Sequence, residues 1–394
     1  MPITQNPSID LGSRGAQLYY LTDGAAIVGC IGNPEGVITA NKRSLAIDES
    51  GNIYTKSTDS SPNGWNPYYA MMPGFIDPVR EFGITGSGNE TTKLQNAINS
   101  ASSTGRILLL PPFAITVSQV VIPANGLRMW GQSGTGITPL SAIVSNGANS
   151  AIIAMTNNLT RSLELRNFKV NGTGSGANQH GILSNSFGNA LFRISDLVIT
   201  QCGGDGIHFT SGGTYSYLLE SIYSSQNAGH QFWIDAVNSP CVGLTNCYAG
   251  VVATGKYGFF FPRGVIEMFN CNSLDGGTSP VSCMLVGDSA IGAAQVTCRN
   301  CNFESFTQFG INVDVASDVR LFNCSFVAPS SGTVQPLAMA QPSGRSYIDA
   351  ATTFTSGGAA YNNAANLPIV IYSRWLDAPS GINPISSGRV LTYW

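Results

Sequence analysis

Short apolar runs separated by clusters of Gly, Asn, Ser and Pro cover the chain, and from about residue 160 they fall into a repeat. The pairs Asn167-Phe168, Asp196-Leu197, Ser221-Ile222, Asn246-Cys247, Asn270-Cys271, Asn300-Cys301 and Asn323-Cys324 mark it, at steps of 29, 25, 25, 24, 30 and 23 residues. With the first member of each pair as position zero, position −2 holds Leu165, Ile194, Leu219, Leu244, Met268, Cys298 and Leu321, and position −4 holds Leu163, Phe192, Tyr217, Val242, Ile266, Val296 and Val319. Position +1 holds Phe168, Leu197, Ile222 and then four cysteines, and +3 holds Val170, Ile199, Ser224, Ala249, Ser273, Phe303 and Phe326. A continuous strand keeps its buried side chains on one parity. The parity switches between zero and +1, so the chain bends there in every unit. The polar residue at zero is expected to lie at an inward bend and to bond its counterparts in an amide ladder. A second run precedes most units: Gly181-Ile182, Gly206-Ile207, Gln231-Phe232, Gly258-Phe259 and Gly310-Ile311. A unit of ~25 residues with several short strands and no helix, stacked many times, predicts an all-β parallel β-helix. In a β-sandwich the regular spacing would be coincidence.

One stretch ahead of the repeat has helical periodicity. Leu94, Ala97, Ile98 and Ala101 predict a helix near 91–101, with Asn89 or Thr91 as its cap. Strand-like runs follow at 106–110, 114–121 and 127–130. The runs at 16–21, 25–29, 44–47 and 52–56 predict a separate small β module, with residues 48–52 as a hairpin turn. The chain therefore reads as a β module over 1–72, a β-helix over 73–330 with a capping helix near 91–101, and a short C-terminal β region over 331–394.

Composition narrows the class. Charged residues are 10% of 394 and Gly numbers 45, against ~25% charged and ~7% Gly in ordinary globular chains. Helix surfaces need Lys, Glu and Arg, so a helical protein is excluded. The 18 Phe, 14 Tyr and 5 Trp exclude disorder. A net charge of −3 with only 19 basic residues excludes a nucleic-acid backbone as partner. No apolar run approaches a membrane span, so no membrane insertion is expected. The polar first ten residues lack a secretory apolar core, which points to a protein made in a cytosol. Nine cysteines, an odd number, argue against a disulfide framework, and the four at +1 read as small core residues. Cys298-x-x-Cys301 has no second pair, and His180, His208 and His230 are the only histidines, so neither metal nor cofactor is expected.

Val79-Arg80-Glu81-Phe82-Gly83, the helix after it, Ile107-Leu108-Leu109-Leu110-Pro111-Pro112 and Leu127-Arg128-Met129-Trp130-Gly131 resemble the entry segment of the pectate-lyase-like β-helix superfamily. The resemblance covers about residues 77–326. It implies a right-handed parallel β-helix whose open end the helix caps, and its Asn positions resemble that superfamily's asparagine ladder. A second resemblance lies nearer the N-terminus, in Gly32-Asn33-Pro34-Glu35-Gly36-Val37-Ile38-Thr39-Ala40, Ser44-Leu45-Ala46-Ile47-Asp48, Ile53-Tyr54-Thr55-Lys56-Ser57 and Asn63-Gly64-Trp65. It is similar to a module found ahead of a β-helix in bacteriophage tail proteins, departing from the usual version at Asn41-Lys42-Arg43. Together the two resemble a phage tailspike or tail fibre. What this implies is a homotrimer in the virion tail, assembled in the host cytoplasm, attached to a tail or baseplate protein through residues 1–72, binding host surface polysaccharide and in many cases cleaving it. The alternative is a non-catalytic fibre or adaptor whose β-helix is a rigid stalk.

A β-helix offers function only on outward side chains and loops. If Ile182, Ile207, Phe232, Phe259 and Ile311 point inward, then Leu183, His208, Trp233, Phe260 and Asn312 point outward. His208, Trp233 and Phe260, with Gln231 beside them, form a candidate glycan platform, because a pyranose stacks its apolar face on a ring while its hydroxyls bond polar neighbours. The same rings would equally bury against a neighbouring subunit. Glycoside hydrolysis needs two carboxyl groups ~5–9.5 Å apart. Asp205 with Asp235, Asp275 with Glu304, and Glu220 with Glu267 are the candidate pairs. Glu164, Arg166, Arg193, Glu220, Glu267, Arg299 and Arg320 form an outward charged stripe, read mainly as a solvated face with a Glu164–Arg193 surface pair. His180 and Asp205 precede equivalent glycines and are expected to share a hydrogen bond.

Overall fold

The computed structural model describes residues 25–327 apart from short segments at 31–33, 35, 49–52, 68–73, 135–138, 157–158, 161, 186–190, 211–215, 237–240, 275–281 and 316, together with short strands outside that range. The chain divides into two compact units, Met1–Ile76 and Asp77–Trp394.

In the first unit Ala26–Cys30 pairs parallel with Leu45–Asp48, which returns antiparallel onto Ile53–Lys56 with Ile47 opposite Ile53. Residues 49–52 of the expected hairpin turn lie outside the described residues. Ala26, Val28, Cys30, Ile38, Ala46 and Trp65 form the core, and the Trp65 indole donates to Ile38 O at 2.6 Å.

The second unit opens with a helix that periodicity had no length to show, Pro78–Phe82, capped by the Asp77 side chain and ended by left-handed Gly83. The longer helix, Thr91–Thr104, buries Leu94, Ala97, Ile98 and Ala101 against the strands Ile107–Leu109, Val120–Val121 and Leu127–Trp130. Its N-cap is Glu90, which makes no side-chain cap bond. Asn89 supplies one instead, accepting from Thr91 N at 3.1 Å.

The rest is a parallel β-helix of three sheets. Sheet 1 stacks Leu163–Arg166, Leu191–Ser195, Ser216–Glu220, Cys241–Thr245, the second half of Tyr257–Phe269, Ala294–Arg299 and Asp318–Phe322. Sheet 2 has ten strands, from Ala114–Val117 to Thr353–Thr355. Sheet 3 stacks Ile153–Met155, Ile182–Ser184, Ile207–Phe209, Phe232–Asp235, the first half of Tyr257–Phe269, Ser282–Val286 and Phe309–Val313. The register is the one the repeat requires: Leu163, Phe192, Tyr217, Val242, Ile266, Val296 and Val319 form one continuous column. Positions −4, −2, +1 and +3 are buried in every coil from 163 to 326. Parallel pairing continues past residue 330, with Leu337 beside Tyr361 and Ser346 beside Ile369.

Position zero is where the chain turns from sheet 1 to sheet 2. Asn167, Asp196, Ser221, Asn246, Asn270, Asn300 and Asn323 all have left-handed φ, between 51° and 63°. Asn and Asp tolerate that conformation better than other residues with a Cβ, which accounts for the repeat's most regular feature. The expected inward orientation is corrected: these side chains are exposed or half-buried. The left-handed residue takes its side chain out of the barrel, and the amide contacts, Asn270 to Asn246 at 2.7 Å and Asn323 to Asn300 at 2.8 Å, lie on the outside.

Candidate functional site

On the outer face of sheet 3 the strand register lines up Leu183, His208, Trp233 and Phe260. His208 and Trp233 lie 4.3 Å apart by ring centroids, and Trp233 and Phe260 5.1 Å. The alternation is as expected, but the column is covered: His208 is 9% and Phe260 5% exposed, and Trp233 is half-buried. Gln231 lies inside the barrel. It takes Asn227 Nδ2 at 2.6 Å and the Ser224 hydroxyl at 3.2 Å, because it occupies the place where neighbouring coils have an inward glycine.

All three histidines of the chain gather at one carboxylate. Asp205 Oδ2 accepts from His208 Nδ1 at 2.5 Å, and Asp205 Oδ1 accepts from the backbone N–H of His230. His180 Nδ1 lies 3.3 Å from Oδ2 but itself accepts the Asp205 backbone N–H at 3.0 Å. That nitrogen has no proton to donate, and the expected His180–Asp205 bond runs to the main chain. Burial opposes the charge on Asp205, yet its hydrogen bond with His208 and the field of the neighbouring imidazoles outweigh it and hold the carboxyl well below the usual carboxylate range. His230 Nδ1 accepts from Tyr257 N at 3.1 Å, and burial lowers the pKa of His230 to about 4. The ligand atoms of His180, Asp205 and His208 lie within 4.8 Å of one another. The His180 lone pair and the His208 proton are both engaged in hydrogen bonds there.

Asp235 is 5% exposed and takes both arms of Arg263, at 2.7 and 2.8 Å. The pair straddles an irregularity in strand register between Trp233 and Asp235, where the chain runs from sheet 3 directly into sheet 1 along Tyr257–Phe269. The structure therefore places Asp205 and Asp235 in separate bonding networks. Glu304 lies on sheet 2, with one carboxylate oxygen accepting from Asn302 Nδ2; its expected partner Asp275 lies outside the described residues.

The charged stripe occupies the outer face of sheet 1. One column runs Glu164, Arg193, Leu218, Gly243, Glu267, and the next runs Arg166, Ser195, Glu220, Thr245, Phe269. Glu164 and Arg193 share a column but make no ion pair among the described residues. The pair formed is Arg166 with Asp196 at 3.4 Å, which links a sheet residue to a residue of the bend.

Two grooves meet at that ion pair. The larger, about 640 Å³, follows the bend and is lined by Trp130, Asn167, Ser221 and Tyr223 among others. Tyr223 stacks on Tyr248 of the next coil, with centroids 4.8 Å apart and planes 5° from parallel. The smaller, about 420 Å³, lies on sheet 1 and includes Glu164, Arg193, Leu218, Glu220 and Gly243. The tyrosines were not among the expected site residues. The signal for them was available: both hold position +2, an outward position, in consecutive units.

No protein-family profile matches the chain, and no curated protein sequence does. Solved structures do. The tailspike protein of Acinetobacter phage vB_ApiP_P1 aligns with a TM-score of 0.59 at 13% identity, over 89% of this chain and 71% of that one. Full-length tailspike protein 2 from Escherichia coli O157:H7 bacteriophage CAB120 aligns at 0.56 and 14% identity, over 93% of this chain and 50% of that one. ORF18 of Geobacillus virus E2 aligns at 0.53 and 18% identity, over 84% and 69%. The chain spans about half the length of tailspike protein 2. At these identities the likeness is one of fold.

Proposed function

We propose that this chain is a tail protein of a bacterial virus, and that it binds host surface polysaccharide on the flank of its β-helix. The observation that carries this is the groove along the bend. It combines the rings of Trp130 and Tyr223 with Asn167, Ser221 and the exposed Arg166–Asp196 pair. Rings offer faces to pyranoses, and the polar groups both donate to and accept from hydroxyls. Successive coils are ~4.8 Å apart, so a glycan lying along the axis meets a new coil at each sugar. In this reading residues 1–72 attach the protein to a tail or baseplate partner, and the working form is a homotrimer of the virion tail, assembled in the host cytoplasm.

The test is binding of the fluorescently labelled protein to a panel of bacterial strains and to polysaccharide extracted from those it stains. Trp130→Ala and Tyr223→Ala should each weaken binding about two- to tenfold, the equivalent of ~0.5–1.5 kcal/mol per stacked ring. Binding to no strain, or binding that survives loss of the polysaccharide, overturns the reading.

A second reading is favoured by the Asp205–His208 bond, which fixes one tautomer of a histidine beside half-buried Trp233. It places glycan contact at His208, Trp233 and Phe260, and cleavage on sheet 3. Asp205→Asn would then abolish release of reducing sugar, and Trp233→Ala would weaken binding while the two groove variants would not.

A further inference from the structure

We propose that Gly243, on the outer face of sheet 1, is the floor of a seat for one ring of an uncharged polysaccharide; this rests on the glycan reading above and extends its groove. Glycine inside a strand is unfavourable by roughly 0.5–1 kcal/mol relative to alanine. Elsewhere in the β-helix the reason for it is visible. A Cβ at Gly172, Gly206 or Gly258 would collide with Gln201 O, Ser224 Oγ or Ser273 Oγ. Gly243 is different. A Cβ there would meet Leu218 Cδ2 at 3.5 Å and Tyr217 O at 3.9 Å, ordinary contacts, and its φ is not left-handed. Neither the backbone nor the protein's own packing requires glycine at this point. What the missing side chain leaves open is the space outside, and a glycine within a strand marks a close approach by a ligand or another backbone. Cys241–Thr245 is paired on both sides, with Ser216–Glu220 and with Tyr257–Phe269, so a strand cannot add there. A ligand remains.

The surroundings state its chemistry. Leu218, 41% exposed, offers an apolar face beside the notch. Arg193, Glu164, Glu220 and Thr245 line the same 420 Å³ groove. Among the described residues Arg193, Glu164 and Glu220 make no ion pair or side-chain hydrogen bond. Carboxylates accept, a guanidinium donates, and sugar hydroxyls do both. Arg166 is matched by Asp196, which leaves one guanidinium against two carboxylates. An anionic sugar or a phosphate would face net negative charge, whereas an uncharged ring satisfies all three groups. Because the two grooves meet at Arg166–Asp196, one glycan chain can run from the tyrosines at the bend to this seat.

The experiment is Gly243→Val, measured by thermal melting and by interferometry on an immobilised panel of neutral and uronic-acid-rich bacterial polysaccharides. Valine suits a strand and its Cβ has room, so the melting temperature should hold or rise while binding falls at least tenfold. Wild type should bind neutral members of the panel and not the uronic-acid-rich ones. Full binding by Gly243→Val beside a binding wild type overturns the seat and leaves the glycan reading standing. A wild-type preference for uronic-acid-rich chains overturns the assignment of an uncharged sugar. A wild type that binds no polysaccharide overturns both proposals. If Gly243→Val does not fold, Leu218→Ala and Glu220→Gln, both at exposed positions, give the same readout: each should lose binding several-fold, and unchanged binding in both overturns the seat.

Discussion

On sheet 3, rings, histidines and carboxylates lie close together, and the carboxylates are answered from within the protein. Asp205 is filled by His208 and a backbone N–H, Asp235 by Arg263, and the rings lie against each other under cover. On sheet 1 the outward residues are commoner kinds, Glu, Arg, Thr and Leu, yet Glu164, Arg193 and Glu220 point into an open groove with no partner among the described residues. The first surface has the composition of a binding site and the bonding of a core. The second has the composition of a solvated face and the bonding of a site. Residue type shows where chemistry is possible, and unfilled hydrogen-bonding capacity shows where it is available.

The largest expected effect tests whether the sheet 3 network is structural. Arg263→Ala leaves the Asp235 carboxylate buried and unpaired, which should lower stability by roughly 3–5 kcal/mol, read by chemical denaturation. A loss under ~1 kcal/mol would mean that the pair is dispensable and Asp235 free for other work.

The next concerns pH. His230 is neutral when folded, with its pKa lowered to about 4, against ~6.5 in an unfolded chain. Above pH ~6.5 neither state binds the proton. Between ~6.5 and ~4 only the unfolded state does, so stability falls as the pH drops through that window, by about 3 kcal/mol in all. His230→Gln should flatten the dependence of melting temperature on pH in that range. An unchanged profile would place the titrating group elsewhere.

Trp233→Ala should lower stability by ~1–3 kcal/mol through lost packing and leave glycan binding intact. Lost binding at unchanged stability would move the site back to sheet 3. The smallest effect belongs to Asp196→Asn. Its pair with Arg166 is 45% and 55% exposed, so melting should register less than ~1 kcal/mol, while binding at the junction of the grooves should still weaken.

The fold was legible because a solenoid repeats its physics. Each coil buries −4, −2, +1 and +3, so one periodic signal is stated many times, and the helix near 91–101 stood out by contrast. The direction of position zero was not legible. A parity switch reveals a bend, but only the left-handed backbone of Asn246 or Asn300 shows that the bend turns its side chain outward. The site was less legible than the fold. The sequence places Trp233 beside His208 and Asp205 but says nothing about what covers them, and cover comes from how coils pack. Gly243 looked like one glycine among 45; its significance depends on the empty space above it, which no spacing records.

The cysteine column has a kinetic consequence. Cys247, Cys271, Cys301 and Cys324 are free thiols on successive coils, each at most 1% exposed. In Cys271 and Cys324 contact with neighbouring thiols and burial push the pKa up, away from the reactive thiolate. A thiol reagent can reach each one only when its own coil opens. The four therefore act as clocks spaced one coil apart along the axis, and the order in which they are labelled under mild denaturant reports from which end the solenoid unzips.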